Sequence, residues 1–207
     1  MNAHVWIDWT RDNPVIALLA LIGTLRILFS LLSMLKWFSR TRSLKYYSMG
    51  ESPWAVVTGA SEGIGKEFAL QLAAAGYSIV LMSRSRQKLD RVAQEIARSH
   101  PSVQTLVYPF DFSRPFDPSN YEALKVQLQS LNVCILVNNV GIAPDLPTSF
   151  MQDDPAFLRS MIQVNIASQL EMTRLIVPQM QAKKRGLVLN VGSMAGVVPC
   201  GLMATYR

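Results

Sequence analysis

The stretch "WAVVTGASEGIGKEFALQLAAAG" (54–76) decides the fold of this chain. Its first five residues, 54–58, form a short apolar run of the kind found in buried strands, and a glycine-rich turn follows at once. Gly76 closes the stretch as a natural helix stop. Between the turn and that stop, apolar residues recur at helical spacing, namely Ile64, Phe68, Ala69, Leu72 and Ala75. The stretch therefore predicts a strand, a tight turn and a helix in succession.

The chain continues this alternation of short apolar runs and amphipathic stretches toward its end. Runs of strand character occur at 78–83, 103–110, 133–139 and 186–192. Strands that are apolar throughout and alternate with helices are typical of a parallel sheet covered on both faces. The sequence therefore predicts an α/β fold with a doubly wound parallel sheet.

The intervening helices are marked by their N-terminal signals. Ser85 precedes a helix that ends before Pro101, and Ser119 with Glu122 has the spacing of a capping box. Asp154 precedes Pro155 and a long helix, which is predicted to run to about Lys183 and to bend at Pro178. Each predicted helix lies between two predicted strands, as the doubly wound fold requires.

A different pattern precedes the α/β region. Residues 15–35 form a run of 21 residues that are apolar or small except for a single charge, Arg26. A helix of this length rises about 30 Å, enough to cross a bilayer core, whereas a buried helix of a globular core is usually shorter. An arginine near mid-bilayer costs about 2.5–3.5 kcal/mol, which the many leucines and isoleucines outweigh. We predict one transmembrane helix.

The flanking charges predict the orientation of this span. Residues 1–14 include two aspartates and one arginine, whereas a signal peptide has a basic start. The following residues are basic, with Lys36, Arg40, Arg42 and Lys45. Such a flank stays in the cytosol and can contact anionic lipid headgroups. It accounts for much of the net charge of +6, so we do not predict nucleic-acid binding.

These patterns divide the chain into four predicted segments. They are a short N-terminal segment (1–14), a transmembrane helix (15–35), a basic juxtamembrane linker (36–52) and an α/β domain (53–207). Cys134 and Cys200 lie in apolar surroundings at a spacing that suggests neither a metal site nor a disulfide framework. We expect no metal site and a reducing compartment.

The glycine turn predicts a nucleotide cofactor. Gly59, Gly63 and Gly65 lie between the first strand and the first helix, where a dinucleotide fingerprint provides a tight turn and a helix N-terminus for phosphates. The alternative is an ordinary strand–helix turn. Arg84 and Arg86 follow the second strand, where an acidic residue would favour NAD and an arginine favours the 2′-phosphate of NADP. We predict NADP(H), the alternative being two arginines that only solubilise a loop.

Several motifs together resemble the short-chain dehydrogenase/reductase family over residues 53–207. The matching residues are "TGASEGIG" (58–65), Asp111, "NNVG" (138–141), Asn165, Ser193 and Tyr206. With the membrane span, the chain looks most like the very-long-chain 3-oxoacyl-CoA reductases, which are endoplasmic-reticulum enzymes of fatty-acid elongation. Membrane-bound 17β-hydroxysteroid dehydrogenases share the same motifs. "NNVG" has valine where the family more often has alanine.

The resemblance implies a role for each matching residue. Tyr206 would donate a proton to the substrate carbonyl, Ser193 would hold that carbonyl, and Asn165 would hold a water of the proton relay. Arg84 would bind the 2′-phosphate and Asp111 the adenine edge. The remaining residues of the cofactor site would be Val57, Gly59, Ser61, Gly63, Ile64, Gly65 and Asn138. NADP(H), a 3-oxoacyl-CoA, the bilayer and other elongation enzymes are the implied partners.

The family's tyrosine is paired with a lysine four residues later, which lowers the tyrosine pKa and binds the nicotinamide ribose. The sequence ends at Arg207, so we expect a domain that is incomplete at its C-terminus and lacks this lysine. Three functions remain open: an anchored NADPH-dependent 3-oxoacyl-CoA reductase, a steroid dehydrogenase with the same motifs, and a catalytically inactive anchored isoform. The resemblance places the protein in the endoplasmic-reticulum membrane as a single-pass protein with its α/β domain in the cytosol.

Overall fold

The computed structural model describes residues 13–39, 43–48, 50–114, 117–198, 202 and 204–206. Expectations for residues before 13, and for Arg40, Arg42 and Cys200, lie outside the described residues. Residue contacts separate the chain into two compact units, Met1–Ser43 and Leu44–Arg207. Each unit is described by itself.

The first unit contains helix α1, Pro14–Ser39. This helix includes the whole predicted apolar run. Its segment Pro14–Lys36 has 23 residues with a mean hydropathy of 2.5, and no part of it is buried in protein. By length and composition the helix can cross a membrane.

The second unit is built on a five-stranded parallel sheet. The strands are β1 (Trp54–Thr58), β2 (Ser78–Ser83), β3 (Thr105–Pro109), β4 (Val133–Asn138) and β5 (Leu187–Asn190). Their spatial order is β3-β2-β1-β4-β5, and every neighbouring pair is parallel. The predicted doubly wound α/β fold is confirmed. The strand order reverses between β1 and β4, the place where such sheets open a crevice for ligands.

Helices cover both faces of the sheet. They are α2 (Gly63–Ala74), α3 (Arg86–Ser99), α4 (Pro118–Gln129), α5 (Pro155–Ile162) and α6 (Ser168–Ala182). One buried cluster joins α2 and α3 to one face, with Leu72, Leu89 and Ile96 against Val57. A second cluster joins α4 and α6 to the other face, with Leu128 and Ile176 among its members. The strands are thus apolar on both faces because both faces are core.

The structure confirms two predicted helix starts and corrects a third. The Ser85 hydroxyl accepts from the Lys88 N–H at the start of α3, and the Asp154 carboxylate accepts from the Ala156 N–H at the start of α5. The predicted capping box at Ser119 is wrong, because the cap of α4 is Asp117. The Asp117 carboxylate accepts from the Ser119 N–H at 2.9 Å, so Ser119 already lies within the helix.

Two further details differ from the sequence prediction. In α2 the buried residues are Gly65, Ala69, Leu72 and Ala73. Ile64 and Ala75, which the periodicity placed on the same helical face as Ala69 and Leu72, are exposed. The predicted long helix is interrupted between α5 and α6 by a π-helical turn, Gln163–Ala167, whereas α6 continues through Pro178.

Candidate active site

Asn139, which follows β4, fixes the loop between β1 and α2. This loop contains Gly59 and the start of α2 at Gly63, and we call it the glycine loop. The Asn139 amide group donates to the carbonyl oxygens of Thr58 and Gly59 at 3.1 and 3.2 Å. The Thr58 hydroxyl in turn accepts from the backbone N–H groups of Asn139 and Val140 at 2.9 and 3.0 Å. These bonds cross the place where the strand order reverses, and they fix the loop against the end of β4.

Two glycines allow this close approach. A Cβ added to Gly65 would lie 2.3 Å from the Gly59 carbonyl oxygen and 2.4 Å from the Asn139 amide nitrogen. A Cβ on Gly59, which has a φ of +66°, would lie 2.8 Å from the same amide nitrogen. Backbone and side chain therefore fill the space that any larger residue would need.

The cleft above this loop has two lobes at the carboxyl end of the sheet. The glycine-loop lobe, about 580 Å³, is lined by Gly59, Ser61, Arg84 and Asp111 among others. The tyrosine lobe, about 430 Å³, is lined by Ile64, Asn165, Ser193 and Tyr206 among others. Residues 139–143 line both lobes, so the two lobes share one wall.

The glycine-loop lobe combines a helix N-terminus with a cation. Within the described residues, no side chain caps the start of α2, where Glu62 is the extended N-cap residue. Unpaired N–H groups at such a terminus attract phosphate. Arg84 is exposed on the wall of the lobe, whereas Arg86 is directed to its own helix, with its Nε 3.8 Å from an Asp90 carboxylate oxygen.

Asp111 is held ionised at the far side of this lobe. Partial burial by itself raises the pKa of its carboxyl group, but hydrogen bonds from the Ser113 hydroxyl and N–H, together with Arg84 and Arg114, lower the pKa below its usual value. The hydroxyl and N–H bonds measure 2.7 and 3.0 Å. The carboxylate is therefore an acceptor at neutral pH, suited to an amine or hydroxyl donor of a ligand.

All three predicted catalytic residues, Asn165, Ser193 and Tyr206, line the tyrosine lobe. Ser193 follows β5, and its hydroxyl oxygen accepts from the Ala195 N–H at 3.2 Å. The hydroxyl proton of Ser193 thus remains available to a ligand. Tyr206 lies on the same lobe and is half-buried. Two hydroxyl donors on one cavity wall can converge on a carbonyl oxygen.

Asn165 occupies the centre of the π-helical turn. Its side-chain oxygen accepts from the Ile142 N–H at 2.9 Å, and its amide group donates to the Ile142 carbonyl at 2.8 Å. The extra residue of a π turn changes the direction of side chains on the following helix, and such turns are frequent at functional sites. The oxygen and the NH2 group of the Asn165 side chain thus both bond to Ile142 on the wall that the two lobes share.

Two predicted cofactor residues lie away from the cleft surface. Val57 is fully buried in β1 and packs in the core. Asn138 is 1% exposed, and its amide group donates to Asn190 at 2.9 Å and to Thr173 at 3.2 Å. Asn138 therefore connects β4 to β5 and α6, and it does not line either lobe.

Sequence reasoning missed two residues that shape the cleft, Thr58 and Asn139. Both were inside quoted motifs, "TGASEGIG" and "NNVG", but neither received a role. Two sequence signals could have identified them: Thr58 is a polar residue at the end of an apolar strand, and two consecutive asparagines stand at the end of β4. A polar residue at the carboxyl end of a parallel strand lies at the ligand edge of the sheet, whichever way its side chain points.

The model of the short chain dehydrogenase family matches residues 53–207. Among curated relatives, the very-long-chain 3-oxoacyl-CoA reductase of Emericella nidulans is 49% identical over 153 residues, which is 74% of this chain and 44% of that protein. The corresponding protein of Mycosarcoma maydis is 47% identical over 74% of this chain and 43% of its own length. The chain thus spans less than half the length of the curated relatives it matches.

Solved structures show the same fold. A metagenomic short-chain oxidoreductase in complex with NADP superposes with a TM-score of 0.67 at 31% identity, covering 74% of this chain and 67% of that one. A short-chain dehydrogenase from Sphingobium yanoikuyae in complex with NADPH has a TM-score of 0.67 at 27% identity, over 74% and 59% of the two chains. The resemblance inferred from the motifs is confirmed, and the chain belongs to the short chain dehydrogenase family.

Proposed function

We propose that this chain forms the cofactor-binding and catalytic region of a membrane-anchored, NADPH-dependent ketoreductase. Its substrate would be a 3-oxoacyl-CoA of very-long-chain fatty-acid elongation. The observation that carries the proposal is the two-lobed cleft, which has the uncapped helix and Arg84 at one end and Ser193 with Tyr206 at the other. The names of the relatives supply the substrate class.

The glycine-loop lobe fits a phosphorylated dinucleotide. Gly63 has a φ of +57°, and a Cβ there would meet no protein atom within 4 Å, so the loop leaves room for a phosphate next to the start of α2. Arg84 supplies the cation that a 2′-phosphate needs, and Asp111 supplies an acceptor for the adenine amine. The two solved neighbours that carry NADP and NADPH support the same cofactor for this chain.

When bound, NADPH supplies the hydride that reduces the substrate ketone. The Ser193 hydroxyl would donate a hydrogen bond to the substrate carbonyl and hold it in place. The Tyr206 hydroxyl would donate the proton that the carbonyl oxygen gains as it becomes an alcohol. Preorganised donors of this kind stabilise the negative charge that develops on oxygen.

Asn165 has a positioning role in this proposal. Its side-chain oxygen and NH2 group bond to Ile142, and the second N–H of that NH2 group would donate to a water of the proton relay. Val57 and Asn138, which we predicted as cofactor residues, would support the site from the core.

An α/β domain attached to a membrane helix would act close to a lipid phase. We propose that the segment 15–35 crosses the endoplasmic-reticulum membrane once and that 36–52 is a juxtamembrane linker. The α/β domain from residue 53 would face the cytosol, because the residues after the span are basic. Other elongation enzymes in the same membrane are the proposed partners. A substrate with a very long acyl chain partitions into lipid, so an anchored enzyme meets it at the membrane surface.

The test is NADPH oxidation by membranes that contain the protein as its cell produces it. We expect consumption of NADPH with a 3-oxoacyl-CoA, little with a steroid ketone, and loss of the activity when Tyr206→Phe is introduced. Preference for the steroid ketone would assign the site to the steroid dehydrogenases. Equal rates for the wild-type and Tyr206→Phe membranes with every ketone would support the inactive isoform.

A further inference from the structure

The membrane helix has one polar face. Inside the segment 15–35, the only glycine, the only charge and both serines follow one another at spacings of three, four and three residues, as Gly23, Arg26, Ser30 and Ser33. Ile16 and Leu19 extend the same spacing toward the N-terminus. A repeat of three and four residues places side chains along one seam of a helix. We call these six residues the Arg26 seam.

The opposite side of the helix has no such need for a partner. Thr24 is the one other hydroxyl residue of the segment, and it lies two positions before Arg26, roughly across the helix from it. Its hydroxyl donates to the Ala20 carbonyl at 2.8 Å. The Thr24 hydroxyl is therefore hydrogen-bonded within its own helix. The side-chain groups of the segment that another helix could contact by hydrogen bonds or charge lie on the Arg26 seam.

Arg26 lies at the middle of the span. Lys36 lies ten positions further along, so about 15 Å of helix lies between Arg26 and the basic flank. A side chain at that depth is far from both headgroup regions, and ionisable residues there face a bundle interior or a water-filled cavity and pair with another ionisable group or with backbone carbonyls. Arg26 is exposed, and segment 15–35 contains no acidic residue that could pair with it.

A second copy of this chain cannot supply the missing charge. Two copies inserted in the same orientation would meet at the seam in parallel, and a symmetric pair would place Arg26 against Arg26. Like charges in contact destabilise a helix pair. Among the partners that such a residue takes, a carboxylate at the same depth matches its charge.

We propose that the Arg26 seam binds a transmembrane helix of a different protein, one that carries an Asp or Glu near the bilayer midplane. Gly23 lets the two backbones approach, and the hydroxyl groups of Ser30 and Ser33 supply further donors across the contact. The inference depends on the proposed membrane span and is independent of the proposed ketoreductase activity.

The test uses the full chain in phosphatidylcholine vesicles at neutral pH. Its probe is a synthetic leucine–alanine transmembrane peptide with one central Glu, and the control peptide has Gln at that position. Energy transfer between a labelled chain and a labelled peptide measures association. We expect the Glu peptide to associate about tenfold more tightly than the Gln peptide, a difference of the size measured for polar contacts between model membrane helices.

Two variants make the test specific. Arg26→Leu removes the charge and makes the span more apolar, and we expect it to abolish the preference for the Glu peptide. Thr24→Leu makes the opposite face more apolar by a similar change, and we expect the preference to remain. Equal association of the two peptides, or an unchanged preference in Arg26→Leu, would overturn the proposal.

Two further readouts separate the possible failures. If labelled copies of the chain associate with one another as tightly as with the Glu peptide, the occupant is a second copy and the proposal is wrong. If alkaline carbonate extracts the chain from the vesicles, the span and the proposal are both wrong. An inserted chain that shows no preference for Glu contradicts the proposal alone, and it leaves the ketoreductase proposal untouched.

Discussion

The two lobes of the cleft share a wall but are built in different ways. In the glycine-loop lobe, backbone atoms set the shape: Gly59 and Gly65 pack so closely on Asn139 that a single Cβ would collide. In the tyrosine lobe, Asn165 of the π-helical turn lines the same surface as Ser193 and Tyr206, which both follow β5. Both lobes draw residues from several segments, but only the first is shaped by a glycine motif packed against a neighbouring strand end. Changes in the two lobes should therefore affect different measured quantities.

The largest effect on a measured quantity is expected for the turnover of Tyr206→Phe. Removing the proposed general acid should lower turnover by about 10²–10⁴-fold, whereas NADPH affinity should change little, because Tyr206 does not line the lobe that the proposal assigns to the phosphates and the adenine. Turnover in native membranes and NADPH titration of the full chain measure the two quantities. A similar loss of affinity in this variant would show that the lobes do not act separately.

Gly65→Ala should produce the converse result. The new Cβ would lie 2.3 Å from the Gly59 carbonyl oxygen, so the loop must shift, and we expect at least a tenfold weaker NADPH affinity. The free energy of unfolding should fall by about 1–3 kcal/mol, as for other overpacked sites. Gly196→Ala is the matched control, because a Cβ there meets nothing within 4 Å. Denaturant unfolding should give a lower free energy of unfolding for Gly65→Ala than for Gly196→Ala. Equal values would show that the close packing of Gly59 and Gly65 on Asn139 does not constrain the loop.

Arg84→Leu tests the chemistry of the glycine-loop lobe without changing its shape. Loss of the guanidinium should weaken NADPH binding by about tenfold, the loss of one charge-assisted contact, and leave NADH binding nearly unchanged. Fluorescence titration with each cofactor measures the ratio. Arg86→Leu is the control, since Arg86 is paired with Asp90. If Arg86→Leu lowers the ratio and Arg84→Leu does not, Arg86 is the phosphate ligand.

The smallest effect is expected far from both lobes, at Tyr77. Its hydroxyl donates to the Leu44 carbonyl at 2.6 Å, and burial, with smaller contributions from Cys134 and Tyr47, raises the pKa of Tyr77 to about 12 from 10.0. Because the folded protein favours the neutral phenol, this contribution is complete below pH 10 and is lost as the pH rises toward 12.

Tyr77→Phe should therefore lower the free energy of unfolding by about 1 kcal/mol at neutral pH. It should also reduce the loss of stability between pH 10 and 12, which denaturant unfolding across that range measures. NADPH affinity and turnover should not change. An unchanged alkaline transition would show that Tyr77 is not the group responsible for it.

The sequence predicted the first lobe better than the second for a physical reason. A strand, a glycine turn and a helix are local features, so the spacing of 54–76 already determines where the loop lies. The π-helical turn could not be read in this way, because "QVNIA" has ordinary helical composition and the interruption is stabilised by contacts of Asn165 with Ile142. Asn139 escaped notice for the same reason, since its partners Thr58 and Gly59 are about eighty residues away in the chain.

Local signals also failed where two of them competed. Ser119 and Glu122 had the spacing of a capping box, but Asp117 lies two residues earlier and accepts from both the N–H and the hydroxyl of Ser119. A carboxylate at the N-terminus also interacts favourably with the helix dipole. Ile64 shares an apolar helical face with Phe68 and Leu72 but was also predicted as a cofactor residue, and at the first turn of α2 it lines the tyrosine lobe.

The most direct test of a cleft divided into a binding lobe and a reaction lobe is a parallel measurement on the wild type, Gly65→Ala and Tyr206→Phe. NADPH affinity and 3-oxoacyl-CoA turnover at saturating NADPH are determined for each protein as its cell produces it. We expect Gly65→Ala to bind NADPH more weakly and to regain much of its turnover at saturation, whereas Tyr206→Phe should bind NADPH normally and turn over at least about a hundredfold more slowly. Two variants that lose both quantities together would contradict the division of the cleft into a binding lobe and a reaction lobe.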